Sequence, residues 1–353
     1  MMRLAILGLA MFAVSAWAQD KPKLDVKHWR LSTALGPAYP QGKAGELWAQ
    51  LITERSAGHY VVKHFPGAAL AQRDPAREFG ALRDGAMQLA VGSASYWSMQ
   101  VKELNVFALP WLIADHDALD ALLASVVAAR LSVRIEAAGV VPLAWAGNVF
   151  LELATRQPVH APSDLAGWRI RAQSLPLLMD TLAVLGAAPT AMTITDAQVA
   201  LTSGVLDGEE TTVAAYAAAR LHTAGLKHLQ LWGAHADALV FGVNAAVWKS
   251  LSAADQDLVR QAAHEAAMGA NAFARALTAD TRLAKLGRDG ANVTSLTPSG
   301  KELFRAAARP VYEKWAAVVG EDLVREAEGV VRSQKSEDRG QKSEESDRGL
   351  ENK

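Results

Sequence analysis

The sequence predicts an α/β fold with a mainly parallel sheet and helices on both of its faces. Three observations carry that expectation. Short β-branched or aromatic segments alternate with helical ones from His28 to Thr297, and parallel neighbours need such crossovers between them. The chain has 353 residues, length for two domains. Half of its residues are hydrophobic, enough for a sizeable core.

In chain order, HWRLST (28–33) reads as a strand and QGKAGELWAQLITERSAG (41–58) as a helix stopped by Gly58. YVVKHF (60–65) is a β-branched and aromatic strand bounded by Pro66-Gly67. Asp74 supplies an N-cap and Pro75 a first-turn proline for a helix through AREFGALRDG (76–85). MQLAVG (87–92) is a short apolar strand, and one long Ala/Leu/Val helix is expected from about Asp117 to Ala138. VVPLAWAG (140–147) and VFLELAT (149–155) read as two strands, followed by a third, GWRIRA (167–172). A helix leads to LGAAPTAM (185–192), TDAQVALTSG (195–204) is a capped helix, and VLDGEET (205–211) follows. HLQLWG (228–233) and ALVFGVN (238–244) read as two further strands. From Ser252, with Asp255 three residues on, a proline-free helical pattern continues to about Gly290. A helix of that length could run along two lobes and join them. NVTSL (292–296) is strand-like, and Thr297-Pro298 opens a final helix.

The two ends are of another kind. Arg3, the apolar run LAILGLAMFAV (4–14) and SAWAQD (15–20), with Ala16 and Ala18 at small-x-small spacing, make residues 1–18 an expected signal peptide, cleaved to leave Gln19 first. The run is short for a membrane span, and no later segment is long and apolar enough. The mature protein is therefore expected to be exported and soluble. With no cysteine, it must stand on its core without disulfides. The net charge of −1 offers no basic field for nucleic acid or an anionic membrane. After Val331, the stretch SQKSEDRGQKSEESDRGLENK is charged and Ser-rich, so residues 332–353 are expected to be disordered.

Enzyme motifs fail in detail. HEAAM, from His264, lacks the second histidine of a zinc-protease helix, and GPAYPQGKA, from Gly36, is one residue too long for a phosphate loop, with Ala44 in place of its Ser/Thr. There is no G-x-S-x-G elbow, no dinucleotide fingerprint after a strand and no metal-ligand spacing, so neither cofactor nor metal is expected. Asp207–Glu210 reads as a tight turn with solvated acids, its spacing matching no calcium loop.

In GWRIRA, strand alternation puts Trp168, Ile170 and Ala172 on one face and Arg169 and Arg171 on the other. Two such arginines serve either a solvated face or an anion, since a guanidinium fork fits a carboxylate. The stretch DLAGWRIRAQSLPLLMDTLAVLGAAPTAMTITDAQVALTSGVLDGEE, with AYPQGK, HFPGAAL, LRDGAMQLAVGSAS and FALPWL before it, resembles the DctP-type solute-binding proteins of tripartite ATP-independent periplasmic (TRAP) transporters. The resemblance runs from His28 to about Ala327. It implies a two-lobed periplasmic-binding-protein fold with mixed, mainly parallel sheets, crossing hinge strands and a long helix spanning both lobes. Its lobes would be 24–149 with 236–276, and 150–235 with 277–331. It further implies a small organic acid as ligand, the membrane subunits of a TRAP transporter as partner, a periplasmic location and a monomer.

The resemblance makes Arg171 the carboxylate anchor and turns Arg169 to solvent. Departures from the family pattern are as informative. Where many members carry a second arginine, Phe150 or Leu151 stands here, and Arg156 matches a peripheral basic position. Thr211 replaces an asparagine after the D-G-x-E turn, and Ser93 stands where some sugar-acid binders have glutamate. A second buried positive charge would be uncompensated by a ligand with one carboxylate. The expected ligand is thus a monocarboxylate with an apolar or aromatic body, walled by Trp97, Trp145 and Phe150. Glu152 either accepts from a ligand hydroxyl or amine or caps a solvated strand end. Asn148, Ser174 and Ile194 complete the candidate set. Service to a receptor kinase or another transporter class, or an exported enzyme, are the alternatives.

Overall fold

A computed structural model describes residues 25–192 and 194–351, with the side chains of 194, 195 and 337–351 outside the described set. The expected signal peptide, 1–18, lies outside the described residues.

The chain opens with β1 (Lys27–Ser32), α1 (Pro40–Arg55), β2 (Tyr60–Phe65), α2 (Glu78–Arg83), β3 (Leu89–Ser93) and α3 (Ala94–Trp97). Proline at the first helical turn starts α1, and the Ser93 hydroxyl caps α3 by accepting from Tyr96 N. Asp74 caps as expected, accepting from Ala76 N, although the first turn, Pro75–Arg77, is a 3₁₀ turn ahead of α2. The helix expected over 117–138 is two, α4 (His116–Leu123) and α5 (Val126–Ala137). Asp115 caps the first and Ser125 the second, so the serine between them restarts the helix rather than continuing it.

The segments read as paired short strands are single long ones: β4 (Val140–Thr155) and β8 (His228–Asn244). They run antiparallel to each other, and their register shifts between Gly147 and Phe150 and again between Leu151 and Leu153. Between and around them lie β5 (Arg169–Ala172), α6 (Pro176–Val184), β6 (Ala188–Ala191), α7 (Ile194–Thr202), β7 (Gly208–Thr211) and α8 (Val213–Ala218). The strand path is β2-β1-β3-β8-β4-β7-β5-β6. After β8 come α9 (Ala245–Ser250), α10 (Ala253–Leu277), α11 (Asp280–Arg288), β9 (Asn292–Ser295) alongside β8, α12 (Pro298–Val319) and α13 (Glu321–Glu351). Pairing is parallel on both flanks and antiparallel in the middle, where β8 meets β3 and β4, and β4 meets β7. The fold is therefore two α/β lobes that share β4 and β8.

Two boundaries differ from expectation. The pattern read as one helix to Gly290 breaks after Leu277: the Thr278 hydroxyl donates to Arg275 O and meets His116 Nε2 at 3.3 Å, and the chain re-enters helix at Asp280. Up to that break α10 packs its alanine face on α1 and the β1–β3 core. At the C-terminus, α13 does not stop near Val331, and residues 332–351 continue it. Its first turns are anchored by Leu323, Val324 and Ala327, and i,i+4 pairs such as Arg325–Glu321 and Arg332–Glu328 suit helix. Those anchoring residues share a core cluster with α4 and α5, so 321–331, grouped by sequence with 150–235, packs on the first lobe.

Candidate functional site

The two arginines of β5 part company. Arg169 is exposed and makes a fork to Asp207, Nε to Oδ2 at 3.0 Å and Nη2 to Oδ1 at 3.1 Å, with Nη2 also donating to Gly204 O. Arg171 is 5% exposed. Its Nε donates to Met192 O at 3.0 Å and Nη1 to Glu210 O at 3.4 Å, both carbonyls. Among the described residues no carboxylate forms an ion pair with it. A buried guanidinium held by carbonyls keeps its charge available for an anion.

Around it the structure gathers groups from both lobes. In the sheet register Arg171 is paired with Glu209, and Glu152 with Thr211. Burial pushes the Glu209 carboxyl up, against the opposing pull of Arg171 and the Thr211 hydroxyl. Tyr96, on α3 of the first lobe, lies within the field of Arg171; burial raises its hydroxyl and the guanidinium moderates the rise. A crevice of about 170 Å³ opens beside Glu209, walled by Tyr39 of the first lobe and by Gln198, Ala215 and Leu221 of the second.

Ser93 and Asn148 are brought together, on Asp237 of β8. That buried carboxylate accepts from Asn148 Nδ2 at 2.7 Å and from Ser95 N and Oγ at 2.9 and 2.8 Å. Burial raises its carboxyl, while these donors and the Ser93 hydroxyl pull it down. Glu152 is buried rather than at a solvated strand end. Gly233 N donates to its Oε2 at 2.9 Å, and burial raises its carboxyl to about 7.

The acids of Asp207–Glu210 are a correction. Asp207 is the partner of Arg169, but Glu209 and Glu210 lie buried in β7 rather than in a solvated turn. Glu210, 1% exposed, has neither carboxylate oxygen hydrogen-bonded, and burial raises it to about 8. Its Oε1 is 3.6 Å from Nε2 of the equally buried His235. The His235 Nδ1–H donates to Ala108 O at 2.6 Å, and burial lowers the imidazole to about 4. Burial thus favours the neutral form of both groups, opposed at Glu210 by the Arg171 charge. A lone acidic pair in sequence gives no sign of such burial; the apolar strands on either side of β7 decide it.

The three aromatics expected as ligand walls all have protein neighbours. Trp97 is wholly buried, edge-on to Phe79 at 5.2 Å, and a Cβ at Gly92 would sit 1.9 Å from its ring. It is a core residue. Trp145 stacks tilted on Phe107 and donates from Nε1 to Ser132 Oγ at 3.0 Å. Phe150 meets His116 edge-on at 5.1 Å within the core shared by both lobes. Thr211 is buried beside Glu209, Ser174 is exposed before α6, and Ile194 begins α7 with its side chain outside the described residues. Arg156 is half-buried and donates to the carbonyls of Leu206, Ala224 and Leu201. The residues that sequence reasoning missed are Tyr39, Tyr96, Glu209, Glu210, His235 and Asp237. Among the described residues no group of three or more His, Asp or Glu could hold a metal ion, and no helix is long and apolar enough to cross a membrane.

Comparison with known proteins gives the family. A model of the bacterial extracellular solute-binding proteins, family 7, matches residues 31–318. The chain is 42% identical to a TRAP periplasmic solute-binding protein of Ralstonia eutropha H16, solved with bound (S)-2-acetolactate, over 87% of this chain and 99% of that one, with a TM-score of 0.83. It is 26% identical to the C4-dicarboxylate-binding periplasmic protein DctP of Vibrio cholerae, over 82% of this chain and 86% of that protein. It is 31% identical to the protein y4mM of Sinorhizobium fredii over 67% of this chain, spanning under half, 43%, of that relative. With two α/β lobes sharing their central strands and a buried arginine at the end of β5, the chain belongs to the DctP family of solute-binding proteins, those that serve TRAP transporters.

Proposed function

We propose that this chain is an exported, monomeric receptor for a small organic acid with a single carboxylate, which it hands unchanged to the membrane subunits of a TRAP transporter. The observation that carries the reading is Arg171, buried, charged and without a carboxylate partner among the described residues. Its fork takes the ligand carboxylate, and closure of the lobes excludes water and strengthens the pairing. Phe150 and Leu151, at the place of a second arginine in many relatives, both lie in the apolar core. That favours one carboxylate over two. The acid held by the Ralstonia relative, a branched 2-hydroxy-3-oxo monocarboxylate, is the first ligand to try. The buried cluster of Asp237, Asn148, Ser93 and Ser95 fixes β3 and α3 of the first lobe against β4 and β8. Export by cleavage after residue 18 accords with the family's extracellular description.

The test is a thermal-shift screen of the mature protein with (S)-2-acetolactate, lactate, pyruvate and succinate. A ligand at about 100 times its Kd stabilises by about 2.7 kcal/mol, or about 4 °C for a chain of this size. We expect that shift from a monocarboxylate and its loss in Arg171→Ala, with Arg169→Ala unaffected. Succinate outbinding every monocarboxylate, or an undiminished shift in Arg171→Ala, overturns the reading.

A further inference from the structure

The mouth between the lobes carries a second positive centre, away from Arg171. A cavity of about 520 Å³ lies between Ala38 of the first lobe and the ends of α8 and α11 of the second. Arg220, Arg282, Lys285 and His222 line it. Lys285 is neutralised by Asp289 at 2.6 Å, but among the described residues neither Arg220 nor Arg282 has an ion-pair partner. This is unusual for the chain, since most of its other surface arginines, such as Arg77, Arg83, Arg130, Arg260 and Arg275, are paired. His222 adds a buried Nδ1 without a hydrogen-bond partner.

Arg220 is also held in place. Its backbone is left-handed, φ 50°, a conformation a long side chain rarely adopts. Thr223 fixes it there, donating to Arg220 O from its amide and its hydroxyl, both at 2.8 Å. The α8 wall of the cavity is all alanine, and one of its residues, Ala218, also borders the crevice beside Glu209. Tyr39, the neighbour of Ala38, closes that crevice from the first lobe. The cavity and the crevice beside Glu209, the strand partner of Arg171, thus meet at Ala218 on the end of α8. Two guanidiniums without an ion-pair partner in a concave pocket with an alanine wall raise the local concentration of anions there.

We infer that Arg220 and Arg282 form a peripheral carboxylate site at the cleft mouth, which captures the acid before the lobes close over Arg171. The identity of that acid rests on the function proposed above; the existence of the site does not. An exposed site of this kind acts on the association rate and is screened by salt, whereas Arg171 acts on dissociation.

Two measurements test it, with Arg220→Asn and Arg282→Gln combined. Asparagine tolerates the left-handed backbone, and position 282 is on an exposed helix face, so the variant is expected to fold. First, acetate is titrated into full-length Arg171→Ala while backbone amide shifts are followed. Saturable shifts at 220–225 and 282–289, abolished when the pair is also replaced, are expected; their absence overturns the proposal even if the inner site binds well. Second, stopped-flow association of (S)-2-acetolactate, or whichever acid the thermal screen selects, is measured at 20 and 300 mM salt. We expect the double variant to associate several-fold more slowly at low salt, with a flatter salt dependence and an unchanged dissociation rate. An unchanged association rate, with loss only of uptake through reconstituted membrane subunits, would make the arginines a protein-docking surface and overturn the proposal. If wild type binds no acid, the function proposed above fails and the acetate titration alone decides this one.

Discussion

Arg169 and Arg171 share one strand and one chemistry, and about 7 Å of strand separates them. One spends its fork on Asp207 at the surface; the other is sealed against carbonyls. The alternation was legible in the sequence, but which arginine would be buried was not, since both lie on the same face of β5. The resemblance to DctP-type proteins singled out Arg171. Nothing local signalled Glu210 and His235, because the apolar environment that buries them comes from β4 and the 102–108 segment, far away in sequence. Their titration makes a prediction with a definite sign. Glu210 is raised to about 8 in the folded state, so between the unfolded value near 4.5 and pH 8 the folded protein binds the extra proton. Stability carried by this group therefore falls as pH rises through that window. His235, lowered to about 4, acts oppositely, costing stability as pH falls below about 6.5. Glu210→Gln, a neutral replacement of the same shape, should match wild type near pH 5 and melt several degrees higher at pH 8.5. Equal melting shifts at both pH values would show that Glu210 is ionised in the fold.

At the scale of elements, start and stop chemistry read well where a side chain supplies it. The caps at Asp74, Ser252 and Thr297 are where the residues placed them. Continuity read poorly. Gly147 and Gly233 look like turns in one dimension, yet β4 and β8 pass through both as irregular strand, their hydrogen bonds supplied by each other and by Asn271, which accepts from Gly147 N at 2.6 Å. Conversely, unbroken helical composition ran on through Ala124-Ser125 and Thr278-Ala279, where hydroxyls divert the backbone. Glycine mattered differently at Gly92 and Gly242, which let the Trp97 ring lie against β3 and β8. Gly92→Ala forces that ring to move, and a loss of about 1–3 kcal/mol is expected from overpacking, visible as a lower urea midpoint with an unchanged slope. Trp97→Ala should cost about 3–5 kcal/mol through the cavity it leaves, and ligand affinity measured on the folded fraction should be unaffected. A selective loss of affinity would return Trp97 to the ligand wall.

For the whole molecule, the α/β class followed from element alternation, and the family from an ordered series of motifs over most of the chain; the lobes and their crossing strands came only with that resemblance, since β4 and β8 each read as two short strands. Where the C-terminal helix packs did not, since its address is written in Leu323, Val324 and Ala327, a short apolar set that gives no direction by itself. Removing 332–353 should leave the melting temperature within about 2 °C, since the segment is charged and almost without apolar side chains to bury. Removing everything after Val319 strips those three residues from the core and should leave a protein that aggregates or melts far lower; comparable melting of the two truncations would place α13 outside the fold.

The passage of β4 and β8 through both lobes has a consequence for how the protein comes apart. A hinge made of loops would let each lobe melt on its own, giving two heat-absorption peaks. Here neither lobe can lose its sheet without taking strands from the other, and α13 ties the end of the second lobe back to the first. Calorimetry should record a single endotherm with equal calorimetric and van't Hoff enthalpies. Neither half should yield a folded fragment on its own, so the two lobes form one thermodynamic unit.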